Sequence, residues 1–597
     1  MSGALVGRCS SLVNRVCSYK MTFKIRMIFN AFISVVICLF SILGGELDYP
    51  GNDDTFRNLI SVGAFGDKYN YYLPYSNVLY GIPIMVLNRL LPNINWYYWV
   101  MIWLSVFAIS ISCAILFDGL SFSFSIAGCV IVNILLSRDY YVAVQYTKVA
   151  SLWFVCGVLI IIFSLIKNSK IWVVGILYTS LGIMCRDSCA KMLLPFALLF
   201  TMFVLNKRWH DISDREIIIK NGTKALITLL IIVFILIISE HIFLINNKSW
   251  QSYWEYQNAN TLVIDRGMRL DYSHNPKAYD ELQTDDNDLN LYSNWQFGDI
   301  DFYSVEWLSQ VKKIESQYND RSLRMDKNVL VMPFYMIWDT VIGNGGSSRW
   351  LVLVAIGCVL LVLIFGRIVD KIYAIGNAIG IYGMYWYFSC INRFMWRVEC
   401  GIFVAVMLLT LMYIRETSAR SPNKYSSVEN KCFKRISLLA FVTAALVLSI
   451  FCVKGIYNWR YVKEKSIVAH EADITGRLNT FLESKDNYYI LTDFYVTNNP
   501  MSITKSKYKN LYDNSSYVGN WTFPSPVMMQ SLQKKGYSNP MRVLLNDNVY
   551  LYSENSEIVE MIRVHLQKVK NIELEVTETD SNLYMIKQVS NENTFGE

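Results

Sequence analysis

The sequence has little of what soluble enzymes use for metal, nucleotide or acyl-transfer chemistry. It contains only 5 histidines in 597 residues, and none of them stands at zinc-ligand spacing from another. No GxSxG motif and no Ser/His/Asp order of a serine hydrolase is present. The C-terminal part has no GxGxxG motif, Walker-type glycine loop or CxxC pair. These absences argue against a zinc site, a nucleotide-binding fold and a serine hydrolase.

Cysteine is present but is almost missing from the predicted outer soluble parts of the chain. Most of the 13 cysteines fall in or beside apolar segments, where a thiol behaves as a small apolar side chain. We therefore predict no disulfide framework. The net charge of +7 comes largely from basic loops between apolar segments, so it gives no support to nucleic-acid binding.

What the chain does have is long apolar segments. Hydrophobic residues make up 53% of it and the mean hydropathy is +0.28, which is typical of a membrane protein with some soluble mass. A helix that crosses a bilayer needs about 20 apolar residues. Segments that approach this length lie at 27–43, 97–117, 121–137, 150–166, 171–185, 190–206, 224–245, 350–366, 372–389, 397–414 and 436–456. The sequence thus predicts a mainly α, polytopic membrane protein of about eleven transmembrane helices.

Basic residues predict the orientation of these helices. The N-terminal tail carries Arg8, Arg15, Lys20, Lys24 and Arg26 and has no small-residue cleavage site, so we expect it to stay in the cytoplasm. Counting from there makes almost every predicted inside loop basic, the exception being the short turn at Asp118-Gly119. This count requires that residues 76–92, although apolar, lie on the outer surface as an interfacial helix. The low proline and glycine and the high isoleucine, asparagine and lysine suggest a bacterial chain, and hence the inner (plasma) membrane.

The order of apolar and polar parts divides the chain into four predicted units. Residues 1–245 form an N-terminal transmembrane module with an acidic first outer loop, and residues 246–349 a large extracytoplasmic loop. Residues 350–456 add the last membrane helices, and residues 457–597 form a soluble extracytoplasmic α/β domain. In that domain the pattern predicts helices at 460–484, 526–535 and 557–569, strands at 488–494 and 549–553, and two final strands, IELEVTE and LYMIKQ. Alternating strands and helices favour a small, partly parallel sheet.

The first outer loop contains four carboxylates within nine residues, directly after the first apolar segment. They are Glu46, Asp48, Asp53 and Asp54, and a helical pattern, TFRNLISVGAFG, follows them. One interpretation is a helix cap, with Asn52 or Asp53 accepting backbone N–H bonds at the positive helix end. The other is a general base that activates an acceptor hydroxyl for attack on the anomeric carbon of a sugar. The two are compatible, because a capped carboxylate is also held rigidly.

Several cations map to predicted outer helix ends, where the positive-inside rule expects few. They are Arg138, Lys148, Arg186, Lys191, Arg349, Arg393 and Arg397. Arg138-Asp139 and Arg186-Asp187 are candidates for internal ion pairs. Arg393 and Arg397 are four residues apart, a spacing that puts both on one helix face if the segment is helical. Two guanidiniums on one face suit a phosphate or pyrophosphate.

An aromatic run between residues 69 and 75 also lies in the first outer loop. Membrane-interface anchoring is the favoured interpretation of Tyr71 and Tyr72. Stacking against a sugar is the alternative.

The acidic loop after the first span, the multi-span module and the basic outer ends together resemble the GT-C superfamily of membrane glycosyltransferases. This group includes the protein O-mannosyltransferases and the bacterial aminoarabinose transferases. Asp53-Asp54 stands where the family usually has Asp-Glu, and Leu73-Pro74-Tyr75 stands near the position of a His-Pro-Pro motif that many members carry. The resemblance implies that Asp53 is the catalytic base with Asp54 beside it. It also implies a polyprenyl-phosphate-linked sugar as donor, with outer basic residues holding its phosphate.

The function expected from the residues and the resemblance is an inverting sugar transfer on the extracytoplasmic face. Asp53 and Asp54 are the candidate catalytic residues; the candidate substrate-binding residues are Glu46, Asp48, Arg138, Lys148, Arg186, Arg393, Arg397, Tyr71 and Tyr72. The expected partners are the lipid-linked sugar, a glycan, lipid or protein acceptor, and the bilayer. No cofactor is required, and a divalent metal is left open. The alternatives are a surface-polysaccharide polymerase or ligase and, less favoured, a transporter or flippase.

Overall fold

A computed structural model describes most of the chain. The described residues are 21–45, 47, 49–50, 52–66, 68–209, 212–265, 268–318, 325–342, 349–391, 393, 396–418, 439, 442–458, 484–492 and 509–589. The candidate residues Glu46 and Asp48, and nearly all of the predicted helix at 460–484, lie outside them.

Helices make up most of the described chain. Many begin at a polar side chain that accepts a backbone N–H, as Asn77, Asn95 and Gln145 do before the third, fourth and sixth helices. The first nine helices are α1 (Phe23–Gly44), α2 (Asn52–Val62), α3 (Val78–Leu90), α4 (Trp96–Leu116), α5 (Phe122–Ser137), α6 (Tyr146–Lys167), α7 (Trp172–Cys185), α8 (Asp187–Asn206) and α9 (Ile212–Asn246). The next nine are α10 (Lys248–Asn260), α11 (Pro276–Glu281), α12 (Asp286–Ser293), α13 (Val305–Glu315), α14 (Lys327–Ile342), α15 (Arg349–Phe365), α16 (Ile368–Cys390), α17 (Trp396–Ser418) and α18 (Val442–Asn458). The C-terminal part adds α19 (Gln530–Lys534) and α20 (Ser556–Lys570).

Seven helices of the described chain are long and apolar enough to cross a bilayer, which associates the protein with a membrane. They run over Phe23–Gly44, Trp96–Leu116, Phe122–Val142, Tyr146–Lys167, Asp187–Asn206, Arg215–Asn246 and Trp396–Thr417. The other four predicted spans correspond to α7, α15, α16 and α18. Three of these are apolar but short, and α16, although a continuous helix of 23 residues, has polar and glycine residues among its apolar ones. The count of eleven therefore stays a prediction. Helix α3 covers most of the predicted interfacial segment, and its 13 residues are too short to span.

Ion pairs define two opposite ends of the helix bundle. The Asp118 carboxylate, just after α4, forms ion pairs with Arg26, Lys167 and Arg415, with nitrogen–oxygen distances of 2.6, 3.1 and 3.0 Å. We call this the Asp118 end; Arg208–Glu416 and Lys207–Asp370 pairs lie there too. The start of α4 is about 30 Å away along the helix, and there the α2 residues Asp53 and Asp54 lie. We call this the Asp53 end.

Helix α6 is the central helix of the bundle, and 83% of its apolar stretch is buried. It approaches α7 so closely that a Cβ added at Gly157 or Gly182 would lie under 3 Å from the other helix. Small residues allow this contact between apolar helices. By contrast, only 11% of the apolar stretch of α9 is buried, so its leucine and isoleucine side chains face outward along most of its length.

The C-terminal part forms a five-stranded sheet of mixed direction. The strands are β1 (Tyr488–Leu491), β2 (Ser515–Tyr517), β3 (Val549–Tyr552), β4 (Leu574–Asp580) and β5 (Leu583–Gln588), in the order β2-β1-β3-β5-β4. Strands β2, β1 and β3 are parallel, with Tyr489 opposite Ser515 and Tyr550, whereas β5 is antiparallel to both β3 and β4. The predicted partly parallel sheet is thus present. Strand β1, the middle one of the three parallel strands, is buried throughout, as suits a parallel strand covered on both faces.

The sheet does not have a hydrophobic core of its own. Tyr256, Tyr292 and Trp307 from the long polar loop pack in one cluster with Ile490 and Ile562. His565 bridges the two parts, with Nδ1 2.6 Å from Asp288 Oδ1 and Nε2 3.2 Å from Asp299 Oδ2. The long loop and the C-terminal sheet therefore fold together.

This combined unit contacts the end of α2. The backbone N–H groups of Asn510 and Tyr512 donate to the carbonyl groups of Gly63 and Ala64, at 3.0 and 2.8 Å. The rings of Phe65 and Tyr512 stack at 5.3 Å. The helix that carries the two aspartates is thus held at its C-terminal end by the segment just before β2.

Candidate functional site

Asp53 and Asp54 lie in the first turn of α2, which begins at Asn52. Carboxylates are favourable there because the helix end carries partial positive charge. Asp54 is fully buried, and its Oδ1 accepts from the Tyr97 hydroxyl at 2.7 Å and from the Tyr146 backbone N–H at 3.0 Å. Asp54 therefore ties α2 to the starts of α4 and α6.

The burial of Asp54 changes its acidity. Desolvation raises the pKa of its carboxyl from 3.8 to about 7, although the Tyr97 hydrogen bond and the Arg57 charge act to lower it. Its Oδ2 is also buried and bonds no described residue. Asp54 thus changes its charge near neutral pH, but it has no exposed surface with which to meet a substrate.

Arg57, one turn further along α2, is a second fully buried charge. Its Nε donates to the Tyr97 hydroxyl at 2.9 Å, and its terminal nitrogens donate to the Pro74 carbonyl and to Ser76 Oγ. The Tyr97 hydroxyl therefore links Asp54 to Arg57, and Arg57 fixes the chain at both sides of Tyr75. Burying charges without partners is costly, so this network over-determines the local backbone.

Asp53 differs from its neighbour because it is partly exposed. Its Oδ2 lies 2.9 Å from an Arg397 terminal nitrogen, and the two side chains keep 19% and 15% of their surface. Arg397 is in the first turn of α17. A basic residue at the start of α17 and an aspartate of the first outer loop are thus joined by a direct ion pair.

Arg393 and Arg397 do not lie in one described helix. Helix α17 begins at Trp396, and Arg393 lies outside both α16 and α17. The four-residue spacing puts two side chains on one face only where the backbone between them is helical. Arg393 is partly exposed in the segment between the two helices.

Arg186 lies between α7 and α8, next to the Asp53–Arg397 pair. The charges of Asp53 and Arg397 both act on its guanidinium. Its Nε donates to Ser188 Oγ at 3.0 Å, and the guanidinium lies 5.5 Å from the Tyr75 ring and 4.9 Å from the Tyr146 ring. The guanidinium is therefore held by aromatic faces.

The sequence-predicted ion pairs of neighbouring residues are replaced by other pairs. Asp139 pairs with Lys148 at 2.9 Å, because a π-helical turn from Arg138 to Val142 brings the aspartate back toward the start of α6. Asp187 pairs with Lys191 at 2.6 Å, one helical turn along α8.

Lys148 and Arg138 therefore differ in whether their side chains are accessible to a substrate. Lys148 is fully buried, donates to the Ala143 carbonyl and lies 4.5 Å from the Trp396 ring. Arg138 is exposed. In this conformation Lys148 does not reach the surface, and it supports the packing beneath the Trp396 ring.

Of the two candidate tyrosines, Tyr72 is locked into the fold. Its hydroxyl donates to Glu240 at 2.6 Å and accepts from Trp254 Nε1 at 2.6 Å, and its ring stacks on Phe243 at 4.3 Å. Tyr71 is partly exposed and contacts the edge of the Phe243 ring. Both tyrosines thus pack on α9.

The structure adds site residues that the sequence reasoning did not select. Tyr97 and Tyr146 bind Asp54. The partly exposed Tyr75 ring lies beside Arg186, and two further partly exposed rings, Trp254 and Trp521, contact Tyr75. The aromatic run that contains Tyr75 was a signal for one of them. Nothing in the sequence relates residues 254 and 521 to a loop near residue 53.

No group of three or more metal-ligating side chains comes together among the residues that the structure describes. The need for a divalent metal stays open.

Comparison of the chain with family models, with curated proteins and with solved structures finds no match in any of the three.

Proposed function

We propose that the protein is a membrane glycosyltransferase of the GT-C type. It moves a sugar from a polyprenyl-phosphate donor to an acceptor hydroxyl, with inversion, at the Asp53 end of the bundle. The observation that carries the proposal is the partly exposed Asp53–Arg397 pair, which has the Arg186 guanidinium beside it. A carboxylate and two guanidiniums are the charges needed to accept a proton and to bind a phosphate.

In the proposed reaction Asp53 acts as the general base. The donor phosphate binds Arg397 and Arg186, and by competing for Arg397 it frees the Asp53 carboxylate. The acceptor hydroxyl gives its proton to Asp53 while its oxygen forms a bond to the anomeric carbon. The bond from that carbon to the phosphate oxygen breaks, and polyprenyl phosphate leaves with the electron pair.

Asp54 has a different role in this proposal. Being buried and bound by Tyr97 and by the Tyr146 backbone, it is a positioning residue that holds the first turn of α2. Asp53 is then presented from a rigid helix end, which favours productive geometry.

The cellular setting is part of the proposal. We infer eleven spans, a cytoplasmic N-terminus, an extracytoplasmic Asp53 end and C-terminal domain, and a bacterial inner membrane. The acceptor is a glycan, a lipid or a protein of the cell envelope, and the product modifies the cell surface.

The test is transfer of label from a panel of polyprenyl-phosphate sugars in membranes that contain the wild type, Asp53→Asn or Asp187→Asn. Asp187 is an exposed aspartate paired with Lys191 at the same end of the bundle, so it is the matched control. We expect a glycosylated product with the wild type and the control, and a loss of at least about a hundredfold with Asp53→Asn. Full activity of folded Asp53→Asn would remove its role as base. Polymerisation of a preformed repeat unit would support the polymerase alternative.

A further inference from the structure

The residue Tyr75 has an unusual backbone. Its φ is +65°, a left-handed conformation that is costly for a bulky side chain. The Arg57 bonds to the Pro74 carbonyl and Ser76 Oγ hold the chain on both sides of it. Strain that is held in place by buried groups is typical of functional sites. The consequence here is that the Tyr75 ring is directed to the Arg186 guanidinium, 5.5 Å away.

Two further rings meet Tyr75 from distant parts of the chain. The Trp254 ring of α10 lies 5.2 Å from it, nearly perpendicular, and the Trp521 ring of the C-terminal unit lies 5.7 Å from it. All three rings are partly exposed, whereas the residues beneath them, such as Tyr97 and Tyr146, are fully buried.

Each of these rings is fixed by its neighbours. The Trp254 indole donates to the Tyr72 hydroxyl at 2.6 Å. The Trp521 carbonyl accepts from the Tyr253 hydroxyl at 3.3 Å, and its ring contacts Phe56 of α2 at 6.3 Å. Rigid aromatic rings bind a flat apolar face with little loss of conformational entropy.

We propose that Tyr75, Trp254 and Trp521 form an aromatic subsite for a pyranose ring. The C–H face of a pyranose packs on aromatic rings, and its hydroxyl groups reach the polar side chains at the rim, which here are Asp53 and Arg186. The identity of the ligand rests on the proposed function. The ring belongs either to the donor sugar or to a glycan acceptor, and both share this chemistry.

The subsite gives the C-terminal unit a role in the reaction. Trp521 is a specificity-determining residue supplied from more than 400 positions along the chain from Asp53, and it reaches the site because α2 and α10 both hold the segment that carries it. The Gln257 side chain of α10 donates to the Phe523 carbonyl at 2.5 Å.

The first experiment measures binding without turnover. Saturation-transfer NMR is recorded with methyl α- and β-hexopyranosides and the full chain in nanodiscs, comparing the wild type with Trp521→Ala and Trp521→Phe. Trp350→Ala is the control, because Trp350 is 66% exposed. We expect saturation of ring C–H protons with the wild type and the control, a weaker effect with Trp521→Phe, and loss with Trp521→Ala. Wild-type saturation in folded Trp521→Ala, or no saturation of any glycoside by the wild type, would overturn the proposal.

The second experiment distinguishes the two sources of the ring. In the transfer assay, Trp521→Ala raises by about tenfold the KM of the substrate whose ring it binds, and leaves the other KM unchanged. An effect on donor KM assigns the subsite to the donor sugar, and an effect on acceptor KM assigns it to a glycan acceptor. A fall in kcat alone, with both KM values unchanged, would contradict a binding role. Glycoside binding that persists while Asp53→Asn keeps full transfer would reject the proposed base and leave the subsite intact.

Discussion

The two ends of the helix bundle use charge in different ways. At the Asp118 end, one carboxylate takes three cations from α1, α6 and α17, and Glu416 takes the Arg208 guanidinium at 3.1 Å. At the Asp53 end, two adjacent aspartates differ in environment: Asp54 is fully buried, and Asp53 is partly exposed and paired with the Arg397 guanidinium.

The pKa values of Asp118 and Asp54 are shifted in opposite directions. Burial acts to raise the pKa of Asp118, but bonds from Arg26 and Lys167 outweigh it, and the pKa falls below 3.8. The pKa of Asp54 is raised to about 7, chiefly by burial. Charges that satisfy each other stabilise the bundle, whereas a buried carboxylate with no direct ion pair keeps its proton to a higher pH.

The largest expected effect is on transfer, at the Asp53 end. Arg397→Gln removes the partner of Asp53 and one of two phosphate ligands, so we expect transfer to fall by at least about a hundredfold, measured as kcat/KM. Arg397→Lys should recover part of the loss, because a lysine keeps the charge but not the planar fork. Lys191→Gln, at an exposed position of the same end, is the control. Equal losses in Lys191→Gln and Arg397→Gln would point to general electrostatics instead of a specific site.

The next effect is on stability, at the Asp118 end. Asp118→Asn leaves Arg26 buried beside an uncharged side chain, so we expect a loss of about 3 kcal/mol in the free energy of unfolding. Because the pKa of Asp118 is lowered in the fold, its contribution is present above 3.8 and is lost as the pH falls through the folded value. Thermal unfolding in detergent should show a gap between variant and wild type at neutral pH that closes in acid. Transfer per folded molecule should stay near that of the wild type.

A smaller effect with the opposite pH dependence belongs to Asp54. Its pKa is raised in the fold, so ionisation destabilises the protein progressively as the pH rises from 3.8 through about 7. The difference in thermal midpoint between Asp54→Asn and the wild type should therefore shift in favour of the variant over this window. A difference that stays constant from pH 5 to pH 8 would mean that Asp54 does not titrate there.

The smallest expected effect is a difference between two cations of the Asp118 end, Lys167 and Arg26, in what each contributes to the free energy of unfolding. Lys167 is 48% exposed, whereas Arg26 is fully buried. We expect Lys167→Gln to cost under about 1 kcal/mol, and Arg26→Gln to cost more because the buried guanidinium fills space as well as carrying charge. Chemical denaturation of the two variants side by side measures the contrast. Equal losses in the free energy of unfolding would mean that the exposure of the cation does not determine how much its ion pair contributes to stability.

Periodic parts of the fold could be predicted from the sequence. The first apolar helix, the helix after Asp53-Asp54, and the elements at 549–552 and 556–570 all lie where the pattern indicated. Each of these is decided by local residues, either by an apolar run or by a helix-start signal.

The parts that could not be predicted depend on long-range packing. The run from Tyr69 to Tyr75 identifies an aromatic loop, but only tertiary contacts decide that Tyr72 is locked under α10 while Tyr75 turns toward Arg186. Asp139 selects Lys148 because of a π-helical turn that has no sequence signature. The spacing of Arg393 and Arg397 was misleading because the start of α17 lies between them.

The ion-pair cluster around Asp118 also has a consequence for how the chain is made. Asp118 and Arg415 are 297 positions apart. At a synthesis rate of roughly 5 to 20 residues per second, Asp118 emerges from the ribosome about 15 to 60 seconds before Arg415. Arg26 and Lys167, by contrast, are made close to Asp118 in time. The cluster is therefore assembled in two stages, and its last member forms only once α17 has been placed against the turn that follows α4.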